Sequence, residues 1–261
     1  MKNKGSLVNV GLGMTLGAHI TPISRNFIEK ADVVFVAASD SLVEEWVKTM
    51  NSDVRSLQGY YKEGISRMIT YRNVIEAIMA EVRSGKQVCG AFYGHPGVFS
   101  WAPHESIKQA RSEGFTAHME PGISAEDCLY SDTGIDPGKT GCAHFEATQF
   151  MCNEIIFDVS AYLVLWQVGI AGDQSITKFS TDSEYRQILV DLLLQSYPND
   201  HIVTLYECAV LPIHKPRIEK IKLKNFAKTP VCLKTTLIIP PMKKRKANDK
   251  VIKQLANLKS L

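Results

Sequence analysis

The 261-residue sequence contains no apolar run approaching the roughly 18 residues that a membrane-spanning helix needs. No CxxC pair occurs among its six cysteines (89, 128, 142, 152, 208 and 232). Most of them lie in apolar segments, which argues for reduced core thiols in a cytoplasmic protein rather than for disulfides or a zinc site. The seven histidines form no HxxxH or HxH pair, so no metal is expected. No GxSxG elbow is present, which argues against a serine hydrolase. Asp136-Pro137-Gly138-Lys139-Thr140-Gly141 is like the end of a phosphate-binding loop, but that pattern needs glycine at 133, where Thr133 stands, and no strand is expected before it. Met1-Lys2-Asn3-Lys4 is like the start of a signal peptide. Leu7 to Gly13, however, is too short and too glycine-rich for the apolar region that should follow, so no export signal is expected. Negative charge slightly exceeds positive in the body. Seven Lys/Arg against Asp249 alone put +6 on residues 243–261, and the net charge of +3 leaves −3 for residues 1–242. The body is therefore not a nucleic-acid-binding surface.

What is present is ordinary globular composition, 45% hydrophobic and 22% charged, which excludes a disordered chain or a coiled-coil rod. In the first half strand-like and helix-like segments alternate. Strands are expected at 6–11, 32–37, 53–57, 86–93 and 115–119, and helices at 22–31, 40–50, 66–84, 103–113 and 124–133. Segments such as Asp32-Val33-Val34-Phe35-Val36-Ala37 are continuously apolar, as strands covered on both faces are. The alternation predicts an α/β fold with an open, mostly parallel sheet. In the second half the apolar segments 155–168, 201–206 and 231–239 are longer and β-branched, around a single helix at 184–196. They predict a second α/β domain with a mixed sheet. We expect an N-terminal α/β domain over 1–122, a C-terminal α/β domain over 123–242 that closes at Pro240-Pro241, and a basic tail over 243–261. Val251, Ile252, Leu255 and Leu258 share one face at helical spacing, so the tail is either a solvated terminus or an interaction helix.

Four segments carry the functional signal. Gly11-Leu12-Gly13 with Gly17 follows the first strand, and it suits a tight turn, a loop lining a site or a dinucleotide-phosphate loop. Tyr93-Gly94-His95-Pro96-Gly97-Val98-Phe99 ends one strand and precedes a helix. In an open α/β sheet that is the end where ligands bind. Glu120-Pro121-Gly122-Ile123-Ser124-Ala125 is a second such loop, whose Ser124 is also placed to cap a helix. Between Tyr60 and Arg72, Ser66 is placed to cap a helix on which Arg67 and Tyr71 share a face, with Tyr61 just before it. That is either a surface arginine packed on a tyrosine or one guanidinium amid phenols at a cleft mouth.

Together these segments resemble the tetrapyrrole methylase superfamily, and within it the borosin peptide α-N-methyltransferases. The likeness extends through Asp127 to Asp132, Ala147-Thr148-Gln149-Phe150, Trp166-Gln167 and Ile238-Ile239-Pro240-Pro241. It implies a two-domain α/β fold with S-adenosylmethionine in the cleft, giving S-adenosylhomocysteine as product. By resemblance, Gly11, Gly13, Tyr93, His95, Val98, Ser124, Ala125, Gln167, Ala209 and Thr236 would bind this cofactor. Tyr61, Arg67, Tyr71 and Tyr93 would line the reacting centre, with Tyr61 as base and Arg67 pulling its phenol towards ionisation. Where some relatives place another tyrosine, nine residues before the arginine, Gln58 stands here. The resemblance implies N-methylation of backbone amides in a precursor peptide. About twenty residues follow Pro241, so the peptide is expected as a separate chain, the split borosin arrangement, with a homodimer or a heterotetramer of two enzyme and two peptide chains. A tetrapyrrole C-methyltransferase and a non-catalytic peptide-binding relative share the fold and are the alternatives.

Overall fold

The strands form two separate five-stranded sheets. The computed structural model describes residues 5–258. Met1 to Lys4, weighed above as a signal start, and the tail's Lys259 lie outside the described residues. In the first sheet β1 (Ser6–Gly11), β2 (Val33–Ala37), β3 (Val54–Ser56), β4 (Gln87–Phe92) and β5 (Thr116–Met119) are all parallel, in the order β3-β2-β4-β1-β5. The crossovers are α1 (Pro22–Lys30), α2 (Ser41–Lys48), α3 (Arg67–Arg83) and α4 (Trp101–Ser112). Alternate side chains go to opposite faces. Leu7, Val33, Phe35 and Val88 pack with Val74, Ile75, Ile78, Met79 and Val82 of α3 and with Ile107 and Ala110 of α4. Val8, Val10, Val34, Val36 and Cys89 pack with Ile28 of α1 and with Val43 and Val47 of α2. At about 1.5–3 kcal/mol per fully buried aliphatic side chain, these two faces fix where the strand ends fall.

α5 (Ala125–Thr133) and the single-turn α6 (Pro137–Thr140) lead to the second sheet. It contains β6 (Cys142–Glu146), then, after α7 (Ala147–Cys152), β7 (Tyr162–Trp166). After α8 (Ser183–Leu193) come β8 (Ile202–Glu207), β9 (Arg217–Lys222) and β10 (Thr236–Ile239). The order is β6-β7-β10-β8-β9, with β6 and β7 parallel and the other pairs antiparallel. The α/β class with one parallel and one mixed sheet is as expected. β6 and β9, absent from the expectation, are the two sheet edges, and β9 carries Arg217, Glu219, Lys220 and Lys222, the solvated chemistry of an edge strand. The apolar segment 155–168 is strand only over 162–166; before it, the Asp158 carboxylate accepts from the backbone and hydroxyl of Ser160 and closes a turn. The phosphate-loop likeness at 136–141 is α6, with Asp136 capping Gly138 N at 2.9 Å.

The halves touch at several places. Leu16 N donates to Val210 O at 2.9 Å and Thr15 Oγ1 to Ala209 O at 3.0 Å. Met14, Cys128 and Leu129 share a core with Val164, Trp166, Tyr206 and Ile238, so α5 lies on the second sheet. The six thiols are free, but only Cys89 and Cys128 are buried; Cys152 and Cys232 are exposed, which corrects the expectation that most are core residues. α9 (Asp249–Leu258) makes the tail helical, with Val251, Ile252, Leu255 and Leu258 all exposed.

Candidate active site

Three strand-end loops close on one another through glycines. A Cβ on Gly11 would sit 2.6 Å from the Cα of Gly122 and 2.6 Å from the carbonyl oxygen of Gly94, closer than real side-chain contacts allow. Gly13 lies at φ +73° and exchanges backbone hydrogen bonds with Gly94 at 3.2 and 2.9 Å. Gly11 and Gly13 are both buried, so what these residues do is let the ends of β1, β4 and the segment after β5 approach. His95 Nδ1 accepts from Gly97 N at 2.9 Å, His104 Nε2 pairs with Gly97 O at 2.9 Å, and Val98 N donates to His95 O at 3.2 Å, which makes the His95 loop stiff. Ser124 forms a full capping box with Asp127 at the head of α5: its hydroxyl and backbone N–H reach Asp127 Oδ2 at 2.7 Å each. Ala125 is the first residue of that helix.

From the second half, Gln167 follows β7 with φ +57° and Phe99 ends its loop with φ +49°, two non-glycine residues in the left-handed region. The Phe99 ring lies 5.6 Å from Trp166, next to Gln167. Such conformations cost about 1–3 kcal/mol each and are kept where surroundings force them. Trp166 is held in turn, since its Nε1 donates to His144 Nδ1 at 3.1 Å and His144 Nε2 meets Tyr130 OH at 2.8 Å. Burial keeps the His144 imidazole below its ordinary pKa despite Glu126, so it stays a neutral acceptor. Ala209 gives its carbonyl to Thr15, and Thr236 is buried at the start of β10.

The phenols and the arginine lie together. Ser66 caps α3 by accepting from Met68 N, as expected, and Arg67 begins the helix. The Tyr61 and Tyr71 rings meet edge to face at 6.3 Å, and Tyr71 stacks on Trp101 at 6.1 Å. Tyr93 follows β4 with half its surface open. Burial raises the Tyr61 and Tyr71 phenols above the usual tyrosine value. Tyr71 and Tyr93 raise Tyr61 further, and Arg67 pulls Tyr61 and Tyr71 back down by less. The expected assistance from Arg67 is thus present but outweighed by desolvation. The guanidinium has anchors that the sequence did not reveal: Nη1 donates to Lys178 O at 3.0 Å, and Nη2 lies 3.9 Å from the buried carboxylate of Asp173. Trp101 and Asp173 were missed because each meets the cluster across more than 25 residues of chain, where no periodicity points.

Two surface hollows, of about 500 Å³ beside α4 and β5 and about 460 Å³ around α7, hold none of the expected site residues. The candidate site is instead built around the loop after β4: Gly94 meets Gly11 and Gly13, Phe99 meets Trp166 beside Gln167, and Tyr93 is near enough to Tyr61 to raise its phenol. Among the described residues no group of three or more His, Cys, Asp or Glu side chains is placed to hold a metal, and no helix is long and apolar enough to cross a membrane.

The chain belongs to the family of tetrapyrrole (corrin/porphyrin) methylases, which it matches over residues 6–209. Within that family, it is 38% identical over 258 residues to a Gymnopus fusipes protein described as a methyltransferase and ribosomally synthesized cyclic peptide gymnopeptides precursor; the match covers 97% of this chain and 61% of that one. It is 36% identical to the corresponding omphalotin A precursor of Omphalotus olearius, over 96% of this chain and 61% of that one. The chain therefore spans about three fifths of the length of these borosin-type relatives. A uroporphyrin-III C-methyltransferase from Thermus thermophilus has the same fold, with a TM-score of 0.64 at 17% identity, covering 91% of this chain and 93% of that one.

Proposed function

We propose that this chain is an S-adenosylmethionine-dependent methyltransferase that N-methylates backbone amides of a precursor peptide offered as a separate chain. The observation that carries the proposal is the half-buried cluster of Tyr61, Arg67 and Tyr71. An amide nitrogen is a very weak acid and a poor nucleophile, so its methylation needs a strong base and a partner for the developing imidate oxygen. An electron-rich tetrapyrrole carbon needs neither, and the uroporphyrin enzyme's likeness extends to the fold alone. The glycine closure and the strained Phe99 and Gln167 suit a cofactor held largely by backbone. His95, Val98, Ser124, Ala125, Gln167, Ala209 and Thr236 would hold it, with Gly11 and Gly13 shaping the floor and Tyr93 facing both cofactor and substrate. When bound, S-adenosylmethionine supplies an electrophilic methyl group on sulfur. The remaining work falls to the protein. Arg67 donates to the amide oxygen, as an oxyanion donor does. The Tyr61 phenolate oxygen accepts the amide proton. Burial makes that anion scarce at neutral pH but strongly basic, which suits so weak an acid. Tyr71, braced by Trp101, and Tyr93 orient the amide, and their rings keep water out.

The relatives named above join methyltransferase and precursor in one chain. Six free thiols suit the cytoplasm, and a homodimer, or its heterotetramer with two peptides, belongs to the same reading. The test is to incubate the purified chain with S-adenosylmethionine and a candidate precursor peptide and to locate added methyl groups by tandem mass spectrometry. Methyl groups on backbone nitrogens are the expected result. Methylation only of a peptide fused to the chain removes the separate-chain part. Methylation of a tetrapyrrole carbon, and of no peptide, removes the peptide reading.

A further inference from the structure

The loop after β7 reaches over to the start of α3. Asp173, which opens it, is buried, and its carboxylate collects four donors from its own loop. Oδ1 accepts from the backbone (3.1 Å) and hydroxyl of Ser175, and Oδ2 accepts from Thr177 N at 3.0 Å and Lys178 N at 2.9 Å. Winding the loop around one carboxylate turns three of its carbonyls outward. Ile176 O accepts from Arg67 N at 2.9 Å, Thr177 O from Gly64 N at 3.1 Å, and Lys178 O from Arg67 Nη1 at 3.0 Å. Ile176 is held at φ +50°, which a β-branched residue adopts only under constraint.

The carboxylate then faces the guanidinium itself. Its Oδ2 lies 3.9 Å from Arg67 Nη2, within ion-pair range but too far to take up a donor as a hydrogen bond. Arg67 is therefore held by its backbone, one guanidinium nitrogen and its charge, and that charge is felt at Tyr61 and Tyr71. We propose that Asp173 is a positioning residue: through the 173–178 loop and its own charge it sets the placement of Arg67 towards the substrate amide. This rests on the role given to Arg67 above. A buried carboxylate with four local donors needs no arginine for its own satisfaction, so the approach to Arg67 is not explained by folding the loop alone.

The experiment is a double-mutant cycle with Asp173→Asn and Arg67→Ala, read by single-turnover methylation of the precursor peptide, by cofactor affinity and by thermal midpoint. Misplacing a catalytic group by about an ångström costs on the order of 100-fold in rate, so Asp173→Asn should slow single-turnover by about that factor at unchanged cofactor affinity. In the Arg67→Ala background the same substitution should change the rate less than about twofold, while lowering the midpoint as it does alone. Equal rate losses in both backgrounds would overturn the proposal, because Asp173 would then act through folding only. If Asp173→Asn does not fold, Ser175→Ala removes one of the four donors and should give a smaller loss that also vanishes without Arg67. A wild-type protein that methylates no peptide counts against the proposed function instead. Hydrogen exchange then decides this inference: Asp173→Asn should speed exchange at the amides of Gly64 and Arg67, and unchanged rates there would overturn it.

Discussion

One wall of the cleft is built from backbone and the other from side chains. At Gly11, Gly94 and Gly122 main chain meets main chain, and there is no side chain to remove without disturbing three strand ends together. At Tyr61, Arg67, Tyr71 and Trp101 the contacts are rings and a guanidinium carried by helix starts that other residues already hold. The first wall should thus fail as structure, and the second should lose chemistry while keeping the fold. The largest expected effect follows from the first wall. Gly11→Ala places a methyl group against backbone on two sides, and overpacking of this kind costs about 1–3 kcal/mol or more. We expect little folded protein, measured by yield and thermal midpoint. A Gly11→Ala protein with the wild-type midpoint would break the comparison at its strongest point.

The second wall predicts a rate effect. Arg67→Ala should keep the fold, since the inner face of α3 from Val74 to Val82 remains packed, with a lowered midpoint from the lost Lys178 and Asp173 contacts. Removal of one charge-stabilising donor should cost about 10²–10³ in single-turnover rate. The phenols add a pH dependence whose sign is determined. Their folded-state pKa values lie above the usual tyrosine value, because burial opposes the anion more than Arg67 favours it. The basic form of Tyr61 therefore keeps growing as pH rises, and the rate should still climb through pH 9, below the ordinary phenol pKa of about 10. Stability should move the other way. The raised values favour the protonated folded state, a contribution whole below pH ~10 and lost as pH rises towards the folded-state values. A rate profile already flat at neutral pH would mean that Arg67 outweighs burial after all.

The two walls also differed in how much the sequence disclosed. The all-parallel sheet was legible because its strands are covered on both faces and read as unbroken apolar runs. The cap of α3 was legible because Ser66 and the Arg67–Tyr71 spacing are local. β6 and β9 were not, because edge strands need little apolar sequence, and β9 scatters Ile218 and Ile221, three residues apart, among four charged residues. At Arg67 the sequence left a structural and a functional reading open, and the structure gives the side chain both an anchor and a place beside the phenols. Gly11 and Gly13 are the converse case. Their pattern left a tight turn and a ligand loop both open, and what they visibly do is admit a neighbouring backbone.

Ser124 lies on the border between the walls, since its hydroxyl caps α5 and is also proposed to contact the cofactor. Ser124→Ala breaks the capping box with Asp127 and should cost about 1 kcal/mol of stability by denaturant unfolding. Cofactor affinity measured on the same variant sharpens the comparison. A matching loss of affinity puts the hydroxyl on the cofactor, and intact affinity leaves only its backbone there.

The smallest effect is expected in the tail. Arg245 ties the segment before α9 to the body, with Nη2 at 3.3 Å from Asp158 and Nε donating to Ser160, an exposed pairing of the kind worth at most about 1 kcal/mol. Beyond it Ile252 and Leu255 present an apolar face that stays more than half exposed. A helix of ten residues is marginal in water unless something packs on it. Two lysines in place of Ile252 and Leu255 remove the face while keeping good helix formers. Surface changes of this kind usually fall within about 0.5 kcal/mol, so thermal midpoint, mass by light scattering and methylation rate should all stay at wild-type values. A mass that drops from two chains to one, or a loss of peptide affinity, would instead make α9 an interaction helix and the basic tail part of the assembly.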